Sequence, residues 1–381
     1  QDNGASVSEG FGIVIEGTNH TATGNTINNN DVGLQQQAGH TPYPGDGDQN
    51  NIADTYFGRG NSPITCGNNV SPNTFAGNGV NTRDVGVGAG LVINTNTGKN
   101  FCSIQAAIDD ATTLNGHIIT IAAGSYNENV NITKELTLTG AGNGSNPATN
   151  TVLSPSVACS GAGFTILAAN VTIQSMYVTN YQTAVLVNGA VNPTINNMAL
   201  VDYCLYGVNF AGVLSTSVAI TQTNIIRTSY LPGTVGVRAG TANGVDGLLI
   251  NVCTITGNTQ GAFISQSGTP SVFNDITIQN SNISNNLQKG LYFEKLNNAL
   301  LDNLTMNNNG TDPTYNNNNG IDINLKYSAY ANITIQNCDI TNSGVNGTAT
   351  DPEAAAAVTI KARDDAPSYS ANPASLTSVI V

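Results

Sequence analysis

The stretch TAVLVNG (183–189), PTINNMAL (193–200), YGVNFAG (206–212), VAITQTNI (218–225) decides the fold, because two phrases alternate in it and then repeat. The first phrase returns as TVGVRAG (234–240), GAFISQSG (261–268), KGLYFEK (289–295) and NGIDINLK (319–326). Aligned on Ala184, Gly207, Gly236, Gly261, Gly290 and Gly320, the copies lie 23, 29, 25, 29 and 30 residues apart, an interval that fits one solenoid coil. One and three places after each anchor stand Val185/Val187, Val208/Phe210, Val237/Ala239, Ala262/Ile264, Leu291/Phe293 and Ile321/Ile323. This alternation of period two predicts strands with one buried face, stacked into an apolar column.

The second phrase also occurs as VTIQSMYV (171–178), LLINVCTI (248–255), ITIQNSNI (276–283) and ITIQNCDI (333–340). Each copy carries an apolar pair five residues apart: Ile173/Val178, Ile195/Leu200, Ile220/Ile225, Ile250/Ile255, Ile278/Ile283 and Ile335/Ile340. A tight corner is expected inside each pair, where Asn adopts left-handed angles and bonds its own main chain. No single repeat can hide its own apolar face, so the coils must cover one another. The reading is an all-β fold, a right-handed parallel β-helix. Propeller blades need about 40 residues or more, and leucine-rich motifs are absent.

Composition agrees. Only 9% of the 381 residues are charged, and Gly, Asn, Thr and Ser take the place of long helix formers. With 11 basic against 24 acidic residues and a net charge of −13, the chain offers no footprint for nucleic acid or for an anionic membrane surface. It contains no apolar run of the roughly 20 residues a membrane span needs, so direct membrane insertion is not expected. The expected location is extracellular or at the cell surface.

The opening EGFGIVIEGTN (9–19) and HTATGNTINNNDVGLQQQ (20–37) follow the same grammar, so residues 1–60 are expected to be the final coils of a preceding β-helix. Residues 61–99 read as a Gly- and Asn-rich linker, and 100–381 as a second β-helix continuing beyond the chain. Within the second, Ile104, Ala107, Ile108 and Ala111 form one face of a short capping helix near 103–113, with Ser103 as its N-cap.

SIQAAIDDA (103–111), ITIAAGSYNENVNI (119–132) and LTLTGAG (136–142) resemble the opening coils of the pectin lyase-like superfamily. Their order is similar to that in pectin methylesterases and in large bacterial surface proteins built from tandem β-helix repeats. ADTYFGRGNSPI (53–64) resembles the closing phrase between such tandem domains. The resemblance implies the fold and a secreted filament or adhesin with a structural or adhesive role; it also raises two alternatives, a polysaccharide lyase or glycoside hydrolase, and a trimeric tailspike-like fibre. Enzymes of this superfamily set Asp, Lys, Arg or His clusters on the outer face of one sheet. The methylesterase and pectate lyase sets have no counterpart here, and Asp364-Asp365 beside Ile360-Lys361 is only a faint echo of the polygalacturonase pattern, without its His. None of His20, His40 and His117 has a general-base setting, so no catalytic residue is assigned.

Two places after the anchors stand Leu186, Asn209, Arg238, Phe263, Tyr292 and Asp322, and four places after stand Asn188, Ala211, Gly240, Ser265, Glu294 and Asn324; no acid/base pair recurs on neighbouring coils. Phe263 and Tyr292, flanked by Arg238 and Asp322, form the candidate ligand site, suited to a sugar or to a neighbouring subunit. The partners expected are thus a glycan or cell-surface ligand, or further copies of the chain in a filament or oligomer. No cofactor is required, and Ca2+ is the one candidate ion, at Asp46 and Asp48 in PGDGDQNN (44–51). Cys66 and Cys102 bracket the linker as a candidate disulfide, while Cys253 and Cys338 share with Met176 and Met198 a repeat slot that suits small buried residues.

Overall fold

The computed structural model describes residues 11–16, 20–37, 70, 72–85, 91–239, 244–264, 273–346 and 355–381. The chain divides into two compact units, Gln1–Gly124 and Ser125–Val381.

In the first unit, Phe11–Glu16, Val32–Gln37 and Val80–Val85 form a parallel sheet, and Thr26–Asn28 pairs in parallel with Thr74–Ala76. Ile15, Ile27 and Leu34 make the buried centre of these coils. Asn ladders tie successive turns: Asn25 donates to Asn73 at 3.0 Å and Asn30 to Asn78 at 3.2 Å. The segment read as linker is therefore not plain linker: its described part holds the strands Thr74–Ala76, Val80–Val85 and Val92–Asn94. Among the described residues there, Gly77 takes a left-handed corner (φ 64°) and Asn73 and Asn78 are ladder residues, although Gly and Asn suggest a loop.

Helix α1 spans Ile104–Asp109, with the Ser103 hydroxyl accepting from Ala106 N, and buries Ile104, Ala107 and Ile108 against Val92–Asn94 and Lys99–Phe101. It is shorter than 103–113. Asp110 turns its carboxylate onto the Thr112 amide and hydroxyl, closing a local turn that ends the helix and leaves Ala111 exposed.

The second unit is a right-handed parallel β-helix. Its first sheet has nine parallel strands: Val130–Ile132, Ala162–Ile166, Thr183–Asn188, Tyr206–Ala211, Val235–Ala239, Gln260–Ile264, Lys289–Phe293, Asn318–Leu325 and Ala355–Ala362. A second sheet runs within this unit from Leu136–Gly140 to Ser375–Ile380, and a third from Thr151–Leu153 to Asp339–Thr341. The expected inner column is in register, Val185 on Val208, Val237, Ala262, Leu291 and Ile321, and all of these are fully buried. The anchor glycines are a close-approach requirement. A Cβ on Gly207 would stand 2.6 Å from the Gly236 carbonyl oxygen, and one on Gly236 2.5 Å from that of Gly261.

Each second phrase is two strands, in the second and third sheets, hinged on one left-handed residue: Ser175 (φ 58°), Asn197 (50°), Gln222 (50°), Val252 (56°), Asn280 (51°) or Asn337 (54°). Val252 shows that stacking imposes the corner even where the residue resists it. One copy was not legible: ALLDNLTM (299–306) makes the strands Asn297–Asp302 and Thr305–Asn307, with Leu301 and Met306 as its pair and Asn303 at the corner. Leu301 stands there in place of the Ile that marks the first position of the other pairs, and Met306 takes the second.

A disulfide links Cys159 to Cys204 across 45 residues. Cys102 is also disulfide-bonded, and Cys66 lies outside the described residues. Cys253 is a buried thiol in the slot of Met176 and Met198, whereas Cys338 is only half-buried because the third sheet ends on its own coil.

Candidate functional site

The outward residues of the first sheet form a second column. Arg238 pairs in register with Phe263, Phe263 with Tyr292 and Tyr292 with Asp322, so the four candidate residues fall on consecutive strands. The rings of Phe263 and Tyr292 stack at 5.2 Å with 29° between their planes. Arg238 lies 4.8 Å over the Tyr206 ring and donates to Asn209 at 3.2 Å, which draws it toward the earlier coils.

Around Phe263, Tyr292 and Asp322 lies a cavity of about 660 Å³. Its walls come from outside the repeat. The loop before Asn318–Leu325 contributes Tyr315 and is shaped by Asp312, which accepts from Thr314 N at 2.9 Å, while the segment after Ala355–Ala362 contributes Arg363 and Asp365. These walls leave Tyr292 and Asp322 only 9% and 3% exposed although both point away from the core. A smaller cavity of about 380 Å³, lined by Tyr206, Tyr230 and Arg238, shares Gln260 and Phe263 with the first.

The reading that no acid/base pair recurs on neighbouring coils is corrected here. Lys289 is ion-paired with Asp322 across two adjacent strands, and Lys326 with Glu294, each one residue past the end of the same two strands. Lys289 sits one place before its glycine anchor and Lys326 six places after its own, outside the positions the alternation marks as outward. The Lys that opens KGLYFEK and the Lys that closes NGIDINLK were the signals available. The Lys289 ammonium also lies 4.4 Å from the Tyr292 ring centroid. Burial pulls it below the usual lysine range, and the Asp322 carboxylate opposes that pull. The Tyr292 hydroxyl donates to Glu294 at 2.7 Å, and burial, reinforced by the Glu294 charge, raises its pKa so that it remains a donor. At the rim Arg363 holds Asp365 through Nε and Nη2, which lowers the Asp365 pKa.

Gln260 Oε1, Asp322 Oδ1 and Asn324 Oδ1, three of the side-chain acceptors lining this cavity, are buried without a hydrogen-bond partner. Buried acceptors are nearly always satisfied, so three around one cavity mark a place that suits donor groups from a ligand. Asn324 donates through Nδ2 to the Tyr292 oxygen at 3.4 Å.

Asp46 and Asp48 lie outside the described residues, as does His40. His117 faces Asn94 and the Leu114 amide, a turn contact. Among the described residues no group of three or more His, Cys, Asp or Glu could hold a metal ion, and no helix is long and apolar enough to cross a membrane.

No family model matches the chain. Over 125 residues it is 33% identical to a cell surface glycoprotein of Methanothermus fervidus, covering 33% of this chain and 20% of that protein, so the chain spans about a fifth of that relative's length. Among solved structures it is similar to the A-module of the mannuronan C-5 epimerase AlgE4 of Azotobacter vinelandii (15% identity, 73% of this chain and 90% of that one, TM-score 0.36). It is also similar to a pectin methylesterase in complex with a hexasaccharide (12%, 64% and 78%, TM-score 0.31) and to ORF18 of Geobacillus virus E2 (11%, 62% and 53%, TM-score 0.38).

Proposed function

We propose that this chain is a β-helical segment of a cell-surface protein that holds an extracellular glycan in the cavity over Phe263, Tyr292 and Asp322. The observation that carries the reading is the conjunction, in one cavity, of a stacked aromatic pair and three buried acceptors lacking donors. A sugar ring offers what both lack: C–H faces for the aromatic rings and hydroxyl donors for the oxygens. The similarity over a third of the chain to a cell surface glycoprotein supports the location. A second reading, glycan cleavage, is favoured by Glu294 and Asp322, two buried carboxylates on neighbouring coils; both are held by lysines, which is why binding is preferred.

The test is calorimetric titration of the chain and of Tyr292→Ala against a panel of oligosaccharides, with reducing ends assayed in the same samples. The native chain should bind, and Tyr292→Ala should weaken binding by about tenfold or more, the share of one stacking contact with its hydrogen bonds. Absence of binding across the panel, or equal binding by the variant, overturns the proposal. Release of reducing ends, lost in Glu294→Gln, would turn it into the cleavage reading.

A further inference from the structure

We infer that the glycan taken by this cavity is uncharged, engaged through hydroxyl or acylamino N–H donors, and is not a polyuronate; this rests on the binding reading above. The cavity is lined by Lys289, Lys361 and Arg363 against Glu294, Asp322, Asp364 and Asp365, three cations facing four carboxylates. The cations are already committed. Lys289 is held by Asp322 with both side chains about 5% exposed, and Arg363 grips Asp365 through two nitrogens. Lys326 is held by Glu294, and Lys361, opposite Asn324 on the next strand, is engaged as well.

A uronate carboxylate entering here would have to displace a built-in carboxylate. Displacing Asp322 would leave a buried charge with no partner, which is strongly unfavourable. What remains unsatisfied is all of one kind: Gln260 Oε1, Asp322 Oδ1 and Asn324 Oδ1 accept and cannot donate. Tyr292 spends its only proton on Glu294, so its oxygen can only accept from Asn324. That fixes the Asn324 amide with Nδ2 on the tyrosine and leaves Oδ1 for the ligand. Hydroxyl and acylamino groups supply the missing protons, whereas a carboxylate supplies none and meets Asp322 as a like charge. Each buried acceptor that gains or loses a donor changes affinity by about tenfold.

The experiment titrates the native chain with three oligosaccharides matched in length, built from a neutral hexose, an N-acetylhexosamine and galacturonate, at low and at high salt. Expected is binding of an uncharged chain at least about tenfold tighter than the galacturonate, nearly unchanged by salt because no ion pair forms with the ligand. The stronger of the two uncharged probes tells hydroxyl from acylamino recognition. Asp322→Asn, which keeps the shape and releases Lys289, should narrow the gap by improving galacturonate binding. If that variant does not fold, the ranking and salt response of the native chain decide. Tightest binding by galacturonate, weakened by salt and by Tyr292→Ala, overturns this inference and leaves the binding proposal standing; binding of none of the three overturns both.

Discussion

The two faces of the first sheet run along the same strands and obey opposite rules. On the inner face, Val185, Val208, Val237, Ala262, Leu291 and Ile321 repeat one chemistry on every coil. On the outer face, Leu186, Asn209, Arg238, Phe263, Tyr292 and Asp322 show no two residues alike. The inner column must tile, because each coil is the only cover its neighbour has. The outer column is relieved of that duty, so a cavity with two buried ion pairs can be built over it without altering the stack. The stack and the candidate site are carried by different faces of the same strands.

The largest break in this comparison should come from Phe293→Ala. It empties a fully buried place in the inner column and should cost about 3–5 kcal/mol in urea denaturation. An outer-face change with an equal cost, such as Asn209→Ala, would erase the distinction.

A middle-sized effect is expected from pH, through the inward corner slot of Cys253. Burial pushes this thiol up to about 11, so the unfolded chain, with its thiol near the usual value of about 8.5, loses its proton first as pH rises. The stability this group contributes is therefore complete below about pH 8.5 and is lost toward pH 11, by about 2–3 kcal/mol. Tyrosines titrate in the upper part of that range, so the measure is the difference between native chain and Cys253→Ala in thermal melts across it. A constant difference from pH 8 to 11 would refute the assignment.

The smallest effect should be at the outward corners. Asn303→Ala removes one exposed ladder bond to Asn280 and leaves Ala at a left-handed corner (φ 52°), so it should cost about 1–2 kcal/mol in the same denaturation assay. A cost comparable to that of Phe293→Ala would show that the exposed ladders, not the inner column, hold the coils.

Legibility followed the same division. The inner column was readable because side chains two apart share a face, and that period survives coils of unequal length. The corners were readable from Asn, although Val252 and Gln222 take the same left-handed angles without it. The coil at ALLDNLTM was missed because Leu301 and Met306 fill the core without resembling the Ile pairs. The four outward candidates were found by counting from the glycine anchors, yet the site's ion pairs were not, because Lys289 and Lys326 lie outside that count.

By itself, then, the sequence determined a parallel β-helix, its coil length, its buried column and a short helix near 103–113, which the structure holds to Ile104–Asp109, all consequences of local periodicity and of backbone preferences within a few residues. Only the tertiary structure decided that Lys289 meets Asp322 33 residues on, that Cys159 reaches Cys204, and that loops from two later coils wall in a cavity with three acceptors waiting for donors. The physical reason is that stacking brings residues one whole coil apart within about 4.8 Å, while coil lengths vary with the loops between strands. Which outward side chains meet is set by those loops in three dimensions, and no short-range pattern records it.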